Sequence, residues 1–350
     1  MPGMTGSEVA VPGTHPDAVD PLGPPPARAG GSLGRVAERL AGLLLGQRAE
    51  LADPAGSELE FHPSIVVRPL ADPVSPPEVW AVDGGQALVA DARCLQVYVT
   101  RSARVCFRNG GCEIEEVGDL HAHLLGSGQP AAEAVAGLDL EAGTPVDVNL
   151  LRDWEEWTTA ARCVDQAVPG ALVLVDGDLI PDWRVPTSVA TSLFERAAER
   201  EVTVMGITKH SSLARGGAPL VGQLEMEAQS GLGRTSWWAE VAHTKVGSHW
   251  PDLQVVVAGL DPDARYSFRI DLPADRDPEQ ALRRLASVSN DAAFPGYPYP
   301  LSVADRLAAC PGWVRAETWL RLDEALGQAG VVDEARQRAF DDRHRLMERA

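Results

Sequence analysis

The run Val79-Trp80-Ala81-Val82-Asp83-Gly84-Gly85 reads as a short apolar strand closed by an acid and two glycines. A second run of the same design, Ala171-Leu172-Val173-Leu174-Val175-Asp176-Gly177, lies farther along the chain. Its unbroken apolar stretch, without polar alternation, marks a strand covered on both faces, as in sheets flanked by helices. Outward from the first run, residues 87–92 and 95–107 are strand-like, the latter rich in Val, Tyr and Thr. Asn109-Gly110-Gly111 then marks a hairpin with a return strand over 112–117. Residues 119–146 are small, acidic and Gly-rich, and predict a loop with a short helix. Over 148–168 the residues Leu150, Leu151, Trp154, Trp157, Ala161 and Val164 share one helical face, and Pro169-Gly170 stops the helix. After Asp176 come a helix over 188–200, a strand over 202–207 and a loop opening at Thr208-Lys209. Strands with intervening helices make this an α/β protein, a mixed sheet flanked by helices.

The remaining segments divide the chain. Residues 1–30 hold 12 Pro and Gly with few large apolar side chains, too little to offset ordering entropy, and predict a disordered tail. Residues 31–78 combine an amphipathic helix over 32–51 (Leu33, Val36, Leu40, Leu43, Leu44) with a proline-rich extended connection. The core spans 79–312. Within it, 210–235 read as a mobile Gly- and Ser-rich loop, 253–258 and 266–272 as strands, and 278–291 and the stretch from Leu301 as helices. Residues 313–350 form a helical tail.

With 31 basic and 50 acidic residues the net charge is −19, which argues against a protein that coats nucleic acid by summed positive charge. An enzyme that holds DNA locally, with cations screening its carboxylates, remains compatible. Only Lys209 and Lys245 are lysines, so a lysine inside a motif stands out. The five cysteines form no C-x-x-C pair, which points to reduced thiols. Apolar runs are strand-length and the start lacks a secretory pattern, so no membrane span and a cytoplasmic location are expected.

Asp83 and Asp176 would lie at the carboxyl edge of the sheet, where α/β folds bind ligands. Two ionised carboxylates side by side call for a cation, and oxygen-only ligation favours Mg²⁺ or Mn²⁺. Strand-terminal Asp-Gly is also ordinary turn chemistry, so the pair carries more weight than either member. Glu155 and Glu156 flank the apolar stripe of their helix, roughly 130° to either side, and periodicity does not choose between them. Lys209 and Arg269 are candidates to neutralise phosphate charge. His121 and His123 share a face if their segment is extended and could ligate a metal, although loop histidines are usually inert; His243 and His249 read the same way.

Taken in order, Val82-Asp83-Gly84, Arg152 with Glu155 or Glu156, Val175-Asp176-Gly177-Asp178-Leu179, Gly206-Ile207-Thr208-Lys209, Tyr266-Ser267-Phe268-Arg269 and Gly296-Tyr297-Pro298 resemble the motifs of the NurA nucleases. The likeness covers about residues 79–309. It implies an RNase H-like core and a DNA end-processing nuclease of double-strand break repair with two Mn²⁺ or Mg²⁺ ions. It also implies a homodimer working with a HerA-like hexameric ATPase. Asp83, Asp176 and a helix glutamate, with Glu155 favoured over Glu156, become metal ligands. Lys209, Arg269 and Tyr297 become DNA-contacting or site-organising residues. Where the family has a histidine in the helix after the Tyr-Pro segment, this chain has Asp305, which would replace it at the metal. Two alternatives stand beside this reading: a catalytically silent adaptor of the ATPase, and a glycosyltransferase using Asp176-Gly177-Asp178 as a D-x-D.

Overall fold

The computed structural model describes residues 32–46, 49–54, 58–126, 138, 140, 143–180, 182–245 and 251–341. The expected disordered tail over 1–30 and His249 lie outside them. Helix α1 (Ser32–Leu44) belongs to a unit of its own, residues 1–48, and exposes Leu33, Val36, Leu40 and Leu44 along one stripe.

From residue 49 the chain forms a second unit. Its elements begin with strands β1 (Leu51–Ala52), β2 (Leu59–Phe61), β3 (Arg68–Pro69), β4 (Val79–Asp91), β5 (Leu95–Arg108), β6 (Gly111–Val117) and β7 (His121–Gly126). Helix α2 (Val148–Gln166), strand β8 (Leu172–Asp176), helix α3 (Thr187–Glu199) and strand β9 (Thr203–Thr208) follow. Then come β10 (Ala214–Arg215), β11 (Ala218–Pro219), α4 (Leu220–Leu232), β12 (Trp237–Thr244), β13 (Leu253–Gly259) and β14 (Phe268–Pro273). Helices α5 (Pro278–Ala286), α6 (Tyr299–Ala308), α7 (Gly312–Gln328) and α8 (Asp333–Phe340) complete the described chain.

The main sheet runs β2-β12-β13-β14-β9-β8-β4-β5-β6, with β3 added to β12 and β7 to β5. Among the described strands, β4, β8 and β9 run parallel and the other pairs are antiparallel. Both faces are covered, which accounts for the unbroken apolar runs. On one face Ala81, Leu174, Met205 and Ile270 pack under α5 and α6 through Leu282, Leu285, Leu301 and Ala304. On the other, Trp80, Val82, Val173, Val175 and Val204 meet Trp157, Cys163 and Val164 of α2 and Leu193 of α3. Asp147 caps α2 by accepting the Leu150 N–H at 3.0 Å. The β5–β6 turn has Asn109 and Gly110 at positive φ (52° and 79°), the two-residue hairpin that Asn-Gly specifies.

Several segments depart from the sequence reading, beginning with the helix expected over 32–51, which ends at Leu44, while Leu51 already lies in β1. β4 does not stop at Gly85; β5 pairs along it to Asp91, and the two expected strands are one with a bulge between Leu88 and Ala90. β8 pairs with β4 only as far as Val82↔Val175, so Asp83 is the first residue past the parallel neighbour. Within 119–146, residues 121–126 form β7 on the inner register of β5. Within 210–235 lie β10, β11 and α4, where Leu220, Leu224 and Ala228 at four-residue spacing bury one stripe despite two glycines. β12 lies in a region given no strand from sequence, and the proline-rich connection contributes β2 and β3 to its outer edge.

Candidate metal centre

Asp83 leaves β4 beside the carboxyl end of β8, whose last residue is Asp176. Asp305 comes from α6, packed against the same end of β4. One carboxylate oxygen from each lies within 4.8 Å of the other two. The Gly84 N–H donates to Asp83 Oδ1 at 2.7 Å, while Oδ2 is buried and accepts no hydrogen bond among the described residues. Burial and then the Asp176 charge push the Asp83 pKa up to about 8; Lys209 opposes this and Asp305 adds to it.

Lys209, one residue past β9, donates through Nζ to Asp176 Oδ2 at 2.8 Å and to Asp305 Oδ1 at 3.4 Å. Its ammonium stands 5.3 Å from the centre of the Tyr297 ring. Burial works against the lysine's charge, but the hydrogen bond and charge of Asp176, with Asp305 and Asp83, outweigh it and raise its pKa. Tyr297 is itself buried. Burial first, and then the charges of Asp176, Asp83 and Asp305, hold its phenol far above the ordinary range, so it stays protonated.

The glycines after Asp83 act through close approach, not through a turn. A Cβ on Gly84 would overlap Glu156 Oε1 under α2, and one on Gly85 would overlap the Ala308 carbonyl at the end of α6. The two directions alternate, so Asp83 shares with Gly85 the side facing α6. Arg101 on β5 ties down the same helix end, donating to the Ala308 carbonyl at 3.1 Å; nothing in the sequence singled it out.

The two helix glutamates diverge. Glu156 is buried against Gly84 and pairs with Arg152 at 3.3 Å. Burial raises its pKa well above the carboxylate range, Arg152 opposes, and the charges of Asp153, Asp83 and Asp176 add to the rise. Glu155, favoured from the sequence, turns instead towards β5 and β7, accepting from Thr100 Oγ1 at 2.6 Å. Neither joins the cluster of three aspartates, but Glu156 is the one within the field of Asp83. Glu156→Gln is expected to weaken Mn²⁺ binding roughly tenfold or more, while Glu155→Gln changes it less than twofold, as read by calorimetry. Equal effects would mean that the orientation of α2 is wrong.

Arg269 does not reach solvent. It is 1% exposed on the interior strand β14 and grips Asp271 through two hydrogen bonds of 2.8 and 2.9 Å. Asp178 and Asp53 lie within 3.8 and 3.9 Å. A DNA contact is therefore replaced by a buried ion cluster under the turn after β8. This arrangement also splits the expected D-x-D: Asp176 faces Lys209, whereas Asp178 faces Arg269. Burial and the Asp271 charge push Asp178 up to about 6, against the pull of Arg269. Arg269→Met strands Asp271 without its partner and is expected to cost about 3–5 kcal/mol in urea unfolding. A loss below about 1 kcal/mol would contradict this role. His243 pairs with Glu60 at 3.6 Å on the far edge of the sheet, away from these acids.

No protein-family model and no curated protein matches the sequence. Among solved structures, the NurA nuclease from Sulfolobus solfataricus aligns with a TM-score of 0.56 and 15% identity, over 85% of this chain and 95% of that one. This chain has the NurA nuclease fold. The catalytic domain of human endonuclease V is more distant, with a TM-score of 0.37 and 13% identity over 75% and 92% of the two chains. The mixed sheet with flanking helices is of the RNase H-like type, as the motif resemblance implied. On the NurA fold, Asp83, Asp176 and Asp305 meet at the carboxyl end of the parallel strands, with Lys209 and Tyr297 beside them.

Proposed function

We propose that this chain is a metal-dependent DNA nuclease that hydrolyses phosphodiester bonds during DNA end processing. The observation that carries this reading is the convergence of Asp83, Asp176 and Asp305 on a nuclease fold. The residues suit a hard divalent cation: three carboxylates supply oxygen ligands, and the buried Asp83 Oδ2 has no hydrogen-bond partner among the described residues. Asp83, Asp176 and Asp305 would hold Mn²⁺ or Mg²⁺, with Glu156 as the further carboxylate for a second ion. Bound there, a divalent cation supplies Lewis acidity, lowering the pKa of water and stabilising charge on the scissile phosphate. Lys209 adds a positive charge for phosphate oxygens, held in place by Asp176, Asp305 and the Tyr297 ring. Tyr297, kept protonated, retains an O–H that can donate a hydrogen bond.

The testing experiment is cleavage of labelled single- and double-stranded DNA with Mn²⁺, Mg²⁺ or EDTA. Metal-dependent products are expected, and their absence with both ions would favour the silent adaptor. Asp305→Asn is expected to weaken apparent Mn²⁺ affinity, whereas Asp305→His restores a neutral ligand and retains cleavage. Wild-type metal dependence in both variants would remove Asp305 from the site. The motif resemblance extends the proposal to double-strand break repair, a HerA-like hexameric ATPase as partner and a homodimer. The exposed apolar stripe of α1 is consistent with the dimer, and a monomer in light scattering at micromolar concentration would contradict it.

A further inference from the structure

Strand β7 carries His121 and His123 two residues apart, so both rings leave the same face. Their cross-strand neighbours on β5 are Thr100 and Tyr98. Thr100 Oγ1 stands 2.7 Å from His123 Nε2 and 2.6 Å from Glu155 Oε1, and those two atoms are 4.0 Å apart. The second oxygen of Glu155, Oε2, is buried and accepts no hydrogen bond among the described residues. His121, His123 and Glu155 line a polar cleft of about 670 Å³ between α2, β5 and β7. The cleft lies on the α2 side of the sheet, whereas Asp83 faces α6, so it is a place distinct from the acidic centre.

The geometry points to a second cation site in this cleft, for a divalent transition ion of the Zn²⁺ class held by His121, His123 and Glu155. A hydrogen-bonded histidine would explain His123 alone, but it leaves a carboxylate oxygen bare and buried beside it. Two imidazoles with one carboxylate form a donor set that favours Zn²⁺, Co²⁺ or Ni²⁺ over Mg²⁺. Two ligands each about 2.1 Å from one tetrahedral ion stand about 3.4 Å apart, so the 4.0 Å between His123 Nε2 and Glu155 Oε1 has to close slightly, with Thr100 Oγ1 releasing both, for the pair to bind. His121 is exposed, so its ring is free to turn onto the ion. Burial, and then the neighbouring His121, lower the His123 pKa and favour the neutral imidazole that binds metals. The inference stands independently of the nuclease reading.

The test uses the full chain carrying Asp83→Asn and Asp176→Asn, which disable the acidic centre, titrated with Co²⁺ while its visible absorption is followed. Saturation near one Co²⁺ per chain is expected, with displacement by equimolar Zn²⁺ and indifference to excess Mg²⁺. Adding His121→Asn should weaken Co²⁺ binding by roughly tenfold or more, and His123→Gln likewise. Because His121 is exposed, its replacement tests ligation without threatening the fold, and an unchanged melting temperature checks this. Absence of Co²⁺ binding in the double variant, or unchanged affinity after His121→Asn, overturns the site.

Discussion

Asp83→Asn is expected to abolish metal-dependent DNA cleavage and, in EDTA above pH 8, to raise the melting temperature. The loss of activity follows from removing a charged ligand at the centre of the cluster. Several kcal/mol of cation-dependent stabilisation correspond to roughly three orders of magnitude in rate. The gain in stability follows from linkage. Folding raises the Asp83 pKa to about 8, from an ordinary value near 3.8. The native state therefore holds a proton that the unfolded chain has released, and stability falls as pH rises through that window. The favourable contribution is fully present below about pH 4 and lost above about pH 8. An asparagine never ionises, so the variant escapes a penalty on the order of a few kcal/mol, taken as an upper estimate. Below about pH 4 the two proteins should melt alike. Adding Mn²⁺ should stabilise the wild type far more than the variant, because the variant has lost a ligand of the acidic centre. Asp176→Asn should likewise abolish cleavage, and it frees Lys209 from its shortest partner. Appreciable cleavage by either purified variant, or a Mn²⁺-induced shift in Asp83→Asn equal to that of wild type, would end the metal-centre reading.

Gly85→Ala should be the most damaging single-methyl change near the site. The new Cβ would overlap the Ala308 carbonyl, a backbone atom at the end of α6. Backbone does not rotate away as a side chain does, so α6 must shift, and Asp305 shifts with it. Overpacking of this kind costs about 1–3 kcal/mol, which the urea midpoint would report. Weaker Mn²⁺ binding should accompany it, by roughly tenfold or more. Gly84→Ala offers the comparison: its Cβ meets side-chain atoms of Glu156 and Arg152, which can give way in part. A Gly85→Ala protein with wild-type stability and metal affinity would show that α6 is not seated on β4 as described.

The acids illustrate how far local pattern reaches. Asp83 and Asp176 were legible because each follows an apolar run, and parallel strands place such ends together whatever packs around them. Asp83 comes to lie beside Asp176 for a reason other than the strand end read from the sequence. The strand continues past it, and Gly84 and Gly85 admit two helices instead of making a turn. α4 escaped notice because Gly222 and Gly231 read as loop, although Leu220, Leu224 and Ala228 bury a stripe. β7 escaped because its residues alternate weakly and its existence depends on the free flank of β5.

By itself the amino-acid sequence determined the first half of β4, the strands β5, β6, β8 and β9, the hairpin at Asn109-Gly110 and the apolar face of α2. Each rests on spacing and turn chemistry among residues close in the chain. Only the tertiary structure decided which of Glu155 and Glu156 packs against Gly84, next to Asp83, since adjacent helical residues differ by about 100° and the docking of α2 sets the zero. It likewise placed Arg269 inside, among Asp271, Asp178 and Asp53, and brought Asp305 to Asp83 across more than two hundred residues. Those outcomes depend on how helices and strands distant in the chain pack, and residue spacing carries no record of that.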